Sequence, residues 1–349
     1  MTQQVLYCND VDATLNNIIG GGNYNAVMVL VDSNTCKLVL PQLPCLSNAH
    51  IIEIAPGDEN KNLDSLVHVW QLMHNAGATR KSLLVNVGGG SITDLGGLAA
   101  ATFKRGIAFI NLPTTVLGAV DAAVGGKTGI NFNGLKNEIG VFAPASTVIV
   151  STCFLNTLPH RELKSGFAEM IKHAMLSSQK QLFKLLDFDL SNIDYEKLLE
   201  MLKSSVKIKE NIVAQDPTEQ GLRKALNLGH TVGHAIESLA MEHGKPVPHG
   251  YAVAWGLVAE AVISHLTLGF PSDDLYGLAR LVRENYGAPS ITCDNYDRLI
   301  TLMQHDKKSR DGEINCTLLN KCGDFTIDNT IAPDTMKNAL DILRDLMGV

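Results

Sequence analysis

The stretch LLVNVGGGSITDLGGLAAATFKRG, residues 83–106, decides the fold. It begins with a short run of apolar residues, passes through three consecutive glycines and continues as a helix pattern. Such glycines let the backbone approach a ligand closely, and the N-terminus of the following helix attracts an anion such as a pyrophosphate. The pattern is not GxGxxG, so the standard dinucleotide fingerprint is missing. We interpret it as a phosphate-binding turn; the simpler interpretation is a turn capped by Ser91 and Asp94.

Short, non-alternating runs rich in Val, Ile and Leu lie on both sides of this stretch. Runs of this kind are typical of strands buried on both faces of a parallel sheet. A helix pattern at 63–76 lies between two of them, and the alternation of strand and helix predicts an α/β domain. The predicted strands are 26–32, 51–55, 83–87, 107–112 and 147–150.

The second half of the chain has a different pattern, because long helix-like stretches replace the strands. We therefore predict an α/β plus all-α protein. A Rossmann-like parallel-sheet domain, residues 1–150, would precede a mostly helical domain, residues 151–349. The predicted helices are 162–176, 196–215, 224–241, 251–268 and 273–286, with a strand at 316–319.

Composition excludes several classes of protein. With 349 residues and 45% hydrophobic residues, the chain can bury the cores of two domains. A net charge of −7 argues against nucleic-acid binding. The seven cysteines form no CxxC pair, which favours reduced thiols and the cytoplasm. The N-terminus does not resemble a signal peptide, and we expect no window with the ~20 apolar residues that a membrane span needs.

Four potential metal ligands occur in three separate segments. His230 and His234, in LNLGHTVGHAIES (226–238), lie one turn apart on the same face of a helix. His249 follows in the predicted loop PVPHG, and Glu169 lies in the helix-like SGFAEMIKHAML. A catalytic zinc ion takes three protein ligands and keeps one open position. The sequence predicts a metal site with three of these four residues, and spacing does not choose among them.

A second glycine-rich segment, VDAAVGGKTGINFNGLKNEIG (120–140), contains GGKT. It is not an ATP-binding P-loop, since Asp121 stands where that motif requires glycine. The segment presents Lys127, Lys136 and Asn137 among glycines, a composition that suits an anion. We interpret it as an anion-binding segment.

Taken together, these motifs resemble the 3-dehydroquinate synthase family of sugar phosphate cyclases over nearly the whole chain. The matching segments are GGGSITDLGGLAAATFKRG, LPTT, VDAAVGGKTGIN, LKNEIGVF, TLPHRELKSGFAEMIK, RKALNLGHTVGHAIE, PHG and DKKSRDG, in the family's order. The resemblance implies an enzyme, a carbon–oxygen lyase, that uses NAD and a divalent metal, zinc in first place and cobalt as the alternative. It also implies a cytoplasmic homodimer that binds an anionic sugar phosphate and neither nucleic acid nor membrane.

The resemblance also implies a role for individual residues. Glu169, His230 and His249 would hold the metal, whereas His234 would face the substrate. The cofactor would contact Asp32, Asp58, Lys61, Gly88, Gly89, Gly90, Ser91, Asp94, Thr114, Thr115, Lys127, Lys136 and Thr157. The substrate would contact Asp121, Lys127, Asn137, Lys172, Lys209, Arg223, Asn227, His234 and Lys307, the last preferred over Lys308. Arg105 would reach the substrate phosphate across the dimer interface.

The implied reaction converts 3-deoxy-D-arabino-heptulosonate 7-phosphate to 3-dehydroquinate and phosphate, a step of the shikimate pathway to aromatic amino acids. NAD⁺ would oxidise a hydroxyl and phosphate would be eliminated; after the hydride returned, the opened ring would close by an aldol step.

The chain departs from the family pattern at Ala122, Ala123, Leu135 and Tyr251, and Asp58 replaces the usual glutamate. Competing interpretations are a sister cyclase for another heptose phosphate, a metal-dependent glycerol or alcohol dehydrogenase, and a non-catalytic binding protein.

Overall fold

A six-stranded parallel sheet organises the first of two units in this chain. The structure is a computed structural model, and it describes residues 3–305 and 312–349. One unit comprises Met1–Pro159 and Asp194–Val206, and the other comprises His160–Ile193 and Lys207–Val349. The predicted division into domains 1–150 and 151–349 stays a prediction.

The first unit alternates strands and helices, as the buried apolar runs predict. Its elements are β1 (Gln4–Tyr7), α1 (Val11–Gly21), β2 (Val27–Asp32), α2 (Ser33–Leu38), β3 (His50–Ile54), α3 (Leu63–Asn75), β4 (Leu83–Gly88), α4 (Gly90–Thr102), β5 (Ala108–Pro113), β6 (Lys127–Phe132), β7 (Leu135–Phe142) and β8 (Thr147–Val150).

The sheet has the order β1-β8-β5-β4-β2-β3, and all of its strand pairs are parallel. Strand β4 lies inside it and is buried along its whole length. Val85 is in register with Val29 on one side and with Ile110 on the other. The α/β prediction is thus confirmed. Strands β6 and β7 form a separate antiparallel hairpin that the sequence analysis did not predict.

The glycine turn connects β4 directly to α4. Gly89 is the N-cap of α4, and among the residues that the structure describes no side chain caps the helix. The interpretation of Ser91 and Asp94 as a capping box was therefore wrong. Ser91 lies inside α4, and the Asp94 carboxylate instead accepts a hydrogen bond from Lys61 Nζ at 3.0 Å. The first backbone N–H groups of α4 keep the uncapped arrangement that anion-binding helices use.

The second unit is mainly helical. Helix α7 contributes residues to both units. The elements are α5 (His160–Met175), α6 (Gln179–Leu186), α7 (Tyr195–Gln215), α8 (His230–Glu242), α9 (His249–Leu268), α10 (Ser272–Tyr286), α11 (Tyr296–Gln304), the antiparallel strands β9 (Ile314–Lys321) and β10 (Asp324–Ile331), and α12 (Pro333–Met347).

Two helix boundaries differ from the predictions. The predicted helix 224–241 is interrupted, because Gly229 has φ +78° and α8 begins only at His230. A left-handed residue ends one helical segment and lets another begin at a new angle. His249, expected in a loop, is the first residue of α9. Both corrections place a histidine at the rigid start of a helix.

Glycines bring α5, α8 and α9 into backbone contact. A Cβ on Gly256 of α9 would overlap the carbonyl oxygen of Gly229, which precedes α8. A Cβ on Gly250 would overlap the carbonyl oxygen of Ser165 on α5, whose hydroxyl oxygen accepts a hydrogen bond from the Gly250 N–H at 3.0 Å. Any side chain at these positions would push the helices apart.

Helix α9 is also apolar enough to cross a membrane by length and composition, contrary to the expectation that no such window exists. Its 18-residue window has a mean hydropathy of 1.4, and 72% of that window is buried inside the protein. Such burial is typical of the core helix of a globular unit.

We predict that Gly256→Ala lowers the free energy of unfolding by about 1–3 kcal/mol, because an added methyl group overpacks the contact with Gly229. Gly20→Ala is the matched control, since nothing lies within 4 Å of its Cβ in α1. Alanine there should be neutral or stabilise by up to about 1 kcal/mol. Urea unfolding measures both; equal effects would contradict the close approach of α8 and α9.

Candidate functional site

One buried carboxylate and two imidazoles meet in the helical unit. Glu169 on α5 is fully buried, and its Oε1 lies 3.4 Å from His230 Nε2 and 3.4 Å from His249 Nε2. The two histidines are the first residues of α8 and α9. Three segments that are far apart in sequence therefore converge at one point.

The charge of Glu169 is retained despite its burial. Burial alone would raise the pKa of this carboxyl, but Lys172 and His230 hold the pKa well below its usual range. Lys172, one turn further along α5, contacts Glu169 Oε2 with its ammonium group. The carboxylate is thus ionised at neutral pH, the form in which it can bind a metal.

Both imidazoles are held through the ring nitrogen that faces away from Glu169. His230 Nδ1 lies 3.1 Å from the Leu228 carbonyl oxygen, and His249 Nδ1 lies 3.1 Å from Glu237 Oε2. Carbonyl and carboxylate oxygens only accept, so each Nδ1 carries the proton and the hydrogen bond fixes the ring. Burial opposes the charged form of His249, but hydrogen bonds to Glu169 and Glu237 raise its pKa to about 9. A metal ion bound at Nε2 would take the place of a proton on that same nitrogen, and Nδ1 would keep its own.

His234 completes a cluster of three imidazoles. Nitrogen atoms of His230, His234 and His249 lie within 4.8 Å of one another. The ring centroid of His234 is 5.2 Å from that of His230 and 5.7 Å from that of His249. All four residues considered for the metal are therefore brought together, and the choice of three stays a prediction.

The donor set fits a divalent metal. Two ligand atoms that are each about 2.1 Å from a tetrahedral ion lie about 3.4 Å apart, which equals the distances from Glu169 Oε1 to both Nε2 atoms. Lys172 pairs with Oε2 of this buried carboxylate, whereas Oε1 is the oxygen that both Nε2 atoms approach. A divalent cation between Oε1 and the two Nε2 atoms would add positive charge on that side of the carboxylate.

An ordered loop carries two of the predicted substrate contacts. Arg223 is buried and donates from Nη1 to the Pro217 carbonyl oxygen at 2.7 Å. The Asp216 carboxylate accepts backbone N–H bonds from Gly221 at 2.7 Å and from Arg223 at 3.0 Å. Asn227 donates to Glu219 Oε1 at 3.4 Å. The sequence analysis did not identify Asp216, which fixes the loop that presents Arg223.

Lys209 and Lys307 complete the predicted substrate contacts of the second half. Lys209 lies on α7 and is buried. Lys307 and its alternative Lys308 lie outside the described residues, so that assignment stays a prediction.

In the first unit, Lys61 is the centre of a polar network. Its ammonium group donates to Asn137 Oδ1 at 2.6 Å and to Asp94 Oδ2 at 3.0 Å, and it lies 3.4 Å from Asp58 Oδ1. Burial alone would lower the pKa of Lys61, but the Asp94 and Asp58 carboxylates raise it. Lys136 Nζ lies 3.8 Å from Asp58 Oδ2. Five predicted binding residues are therefore one connected group.

Further predicted cofactor residues follow the carboxyl ends of neighbouring strands, where ligands of parallel sheets bind. Gly88 ends β4, and its carbonyl oxygen accepts from the Thr114 N–H at 3.0 Å. Thr115 Oγ1 accepts from the Gly118 N–H at 2.9 Å. Asp32 ends β2, where its carboxylate caps α2. A cleft beside it is lined by Ser33, Glu53, Ile54, Ala55, Pro56, Asp64, Ser65 and His68.

The remaining predicted residues of this unit lie in turns and at the ends of elements. Thr157 ends a short 3₁₀ helix and donates to the Phe154 carbonyl oxygen at 3.1 Å. Asp121 lies in the π-helical turn Gly118–Ala122, and Lys127 is the exposed first residue of β6. Arg105 is exposed. Its backbone has φ +68°, a conformation that is strained in a residue with a side chain.

The departures from the family pattern occupy defined environments. The Ala122 methyl group would lie 3.1 Å from a Cβ on Gly90, so a small residue packs against the glycine turn. Leu135 is 53% exposed at the start of β7. The Tyr251 ring packs edge-on against Tyr286, with 5.0 Å between centroids, and Arg161 lies 5.9 Å from its centroid.

The sequence analysis missed two further glutamates, which contact the helices that carry the three clustered histidines. Glu237 follows His230 by seven residues on α8, so its position on the histidine face was a readable signal. Glu260 on α9 is fully buried and accepts from the N–H groups of Gly229 at 2.7 Å and Thr231 at 3.1 Å, which caps α8. Its role depends on tertiary packing and leaves no local signal.

Two features define the class of enzyme to which this chain belongs. One is an α/β unit with a glycine-rich turn, and the other is a helical unit that gathers carboxylate and imidazole donors. The family models described as "3-dehydroquinate synthase N-terminal" and "3-dehydroquinate synthase C-terminal" match residues 51–165 and 166–309. The chain is 45% identical over 350 residues to 3-dehydroquinate synthase of Parabacteroides distasonis, with 99% of each chain covered. The chain belongs to the 3-dehydroquinate synthase family.

Solved structures of related cyclases share the fold. The 2-epi-5-epi-valiolone synthase of Streptomyces hygroscopicus, with NAD⁺ and Zn²⁺ bound, superposes with a TM-score of 0.86 at 25% identity; 99% of this chain and 97% of that chain are covered. A 2-deoxy-scyllo-inosose synthase complexed with carbaglucose-6-phosphate, NAD⁺ and Co²⁺ gives a TM-score of 0.84 at 25% identity, with 98% and 96% covered. These likenesses confirm the predicted fold class.

Proposed function

We propose that this enzyme converts 3-deoxy-D-arabino-heptulosonate 7-phosphate to 3-dehydroquinate and phosphate, in the shikimate pathway. The observation that carries the proposal is the buried Glu169 carboxylate 3.4 Å from two imidazole nitrogens, in a chain of this family. Structural relatives that bind NAD⁺ and a divalent ion support both as cofactors here. Zinc is the metal we propose, since imidazole and carboxylate ligands at tetrahedral spacing suit it; Co²⁺ is the alternative.

Glu169, His230 and His249 would hold the divalent ion, and the glycine turn with Lys61, Asp94, Thr114 and Thr115 would hold NAD. When bound, NAD would accept and return a hydride, and the ion would acidify a substrate hydroxyl. The remaining cofactor contacts are proposed for Asp32, Asp58, Gly88, Gly89, Gly90, Ser91, Lys127, Lys136 and Thr157.

The chain's cationic residues would bind and orient the anionic substrate. Arg223, on a loop fixed by Asp216, and the buried Lys209 suit a carboxylate or phosphate group. His234 would hold or transfer a proton at the substrate, beside the two histidines that face the ion. Proposed contacts of the same kind are Asp121, Lys127, Asn137, Lys172, Asn227 and Lys307.

The proposed reaction can be tested by following phosphate and NADH together. Because the hydride returns in each turnover, phosphate should be released from heptulosonate phosphate in stoichiometric amounts without net NADH. A dehydrogenase would instead build up NADH in proportion to product. Faster release from sedoheptulose 7-phosphate would identify a sister cyclase, and cofactor binding without any turnover would identify a binding protein.

The two histidines on α8 should separate metal binding from turnover. We predict that His230→Ala loses the bound metal, whereas His234→Ala retains it and lowers kcat by about 10²–10⁴-fold, the range for loss of a proton-transfer group. Elemental analysis after gel filtration gives the metal content, and steady-state assays give kcat. If His234→Ala also lost the metal, the proposed ligand set would be wrong.

We also propose a cytoplasmic homodimer. Strand β7 supports a partner surface, because Leu135, Ile139, Val141 and Phe142 are between 40% and 54% exposed on it. The strained backbone at Arg105 supports a functional position for that exposed side chain. All seven cysteines are free thiols, which suits a reducing compartment.

If Arg105 acts across the dimer, mixed dimers should recover activity. Arg105→Ala and His230→Ala chains would each be inactive alone. After unfolding and refolding together, half of the dimers would be mixed and each would have one intact site, so about a quarter of wild-type activity should return. No recovery in verified mixed dimers would place Arg105 in its own chain's site.

A further inference from the structure

The two histidines that face Glu169 are held by different chemistry. His230 Nδ1 donates to a neutral acceptor, the Leu228 carbonyl oxygen, at 3.1 Å. His249 Nδ1 donates instead to a charged acceptor, Glu237 Oε2, also at 3.1 Å. Glu237 is itself buried, with 7% of its side chain exposed. A second carboxylate thus lies behind one of the two imidazoles.

We propose that Glu237 is a positioning residue, which fixes His249 with its Nε2 available to a divalent cation and adds negative charge that strengthens the binding of that cation. The inference rests on the proposed metal site and extends it to a residue that would not touch the ion.

The sequence places Glu237 well for this role. It lies seven residues, or about two helical turns, after His230, so α8 carries both a proposed ligand and the group that orients the other histidine. Gly250 brings the start of α9 against α5, which fixes the backbone beside His249, while the His249 side chain itself is 27% exposed. The hydrogen bond to Glu237 then decides which of its nitrogens faces Glu169.

Charge balance gives Glu237 a second effect. Within the cluster, the carboxylates of Glu169 and Glu237 oppose the ammonium group of Lys172. A divalent cation added to this set is compensated more fully with Glu237 present than without it. A carboxylate behind a metal-bound histidine also increases the basicity of the imidazole, and loss of such a partner typically weakens metal binding by about 10–100-fold.

The test compares two glutamate-to-glutamine variants of the same helix. Glu237→Gln keeps an acceptor for His249 Nδ1 and removes only the charge. Glu242→Gln is the control, because Glu242 ends α8 at the surface, where it pairs with Arg298. Zn²⁺ affinity of the full chain is measured by competition with a chromogenic chelator. Circular dichroism and the melting temperature of the metal-free variants report folding.

We expect the Zn²⁺ Kd of Glu237→Gln to rise about 10–100-fold, with that of Glu242→Gln unchanged. The d–d absorption of the Co²⁺-loaded Glu237→Gln variant should also shift, since the ligand field changes. A Kd equal to the wild-type value would overturn the inference, even if the melting temperature fell, because that pattern indicates a structural role alone.

A second variant covers the case in which Glu237→Gln does not fold. Glu237→Asp keeps the charge but withdraws it by one methylene group, so its Kd should also rise; wild-type affinity would overturn the inference. Failure of the metal proposal is distinguishable, since wild-type protein would then bind no Zn²⁺ at this site. If wild type binds and both variants bind equally well, only the role of Glu237 fails.

Discussion

The burial of one negative charge is the constraint on which the helical unit depends. Glu169 is fully inside the protein and remains ionised. Removing a carboxylate from water costs several kcal/mol unless opposite charge surrounds it. Lys172 offsets part of that cost, and the remainder requires His230 and His249 to be close. The carboxylate therefore determines where the first turns of α8 and α9 must lie.

The glycines are the steric counterpart of this electrostatic requirement. Gly250 and Gly256 allow the backbones of α5, α8 and α9 to meet, and Glu260 caps α8 from its neighbour α9. Each histidine is then fixed by the hydrogen bond that its Nδ1 donates. The first unit also buries a charge. Its buried cation, Lys61, is surrounded by hydrogen-bond acceptors beside the glycine turn.

How much the sequence could predict depended on whether the signal was local. The runs that became β2, β4, β5 and β8 were readable because strands buried on both faces are continuously apolar. The run that became β3 was also found, but β3 is an edge strand in which Ile51 and Glu53 are exposed, so it is not buried on both faces. The hairpin β6–β7 was missed although its turn, Asn133-Gly134, has two positive φ angles and is a strong hairpin signal. Residue chemistry selected the four metal candidates. Helical spacing also places Glu237 on the face of His230, but its contact with His249 and the contact of Glu260 with Gly229 join residues 12 and 31 positions apart, and these pairings depend on packing.

Anomalous X-ray diffraction from crystals grown with Zn²⁺ tests the central claim most directly, since it locates the ion without reference to activity. We predict one strong peak about 2.0–2.2 Å from a Glu169 oxygen and from the Nε2 atoms of His230 and His249, with His234 outside bonding distance. A peak bonded to His234 in place of either histidine, or an ion bound away from Glu169, would contradict this assignment.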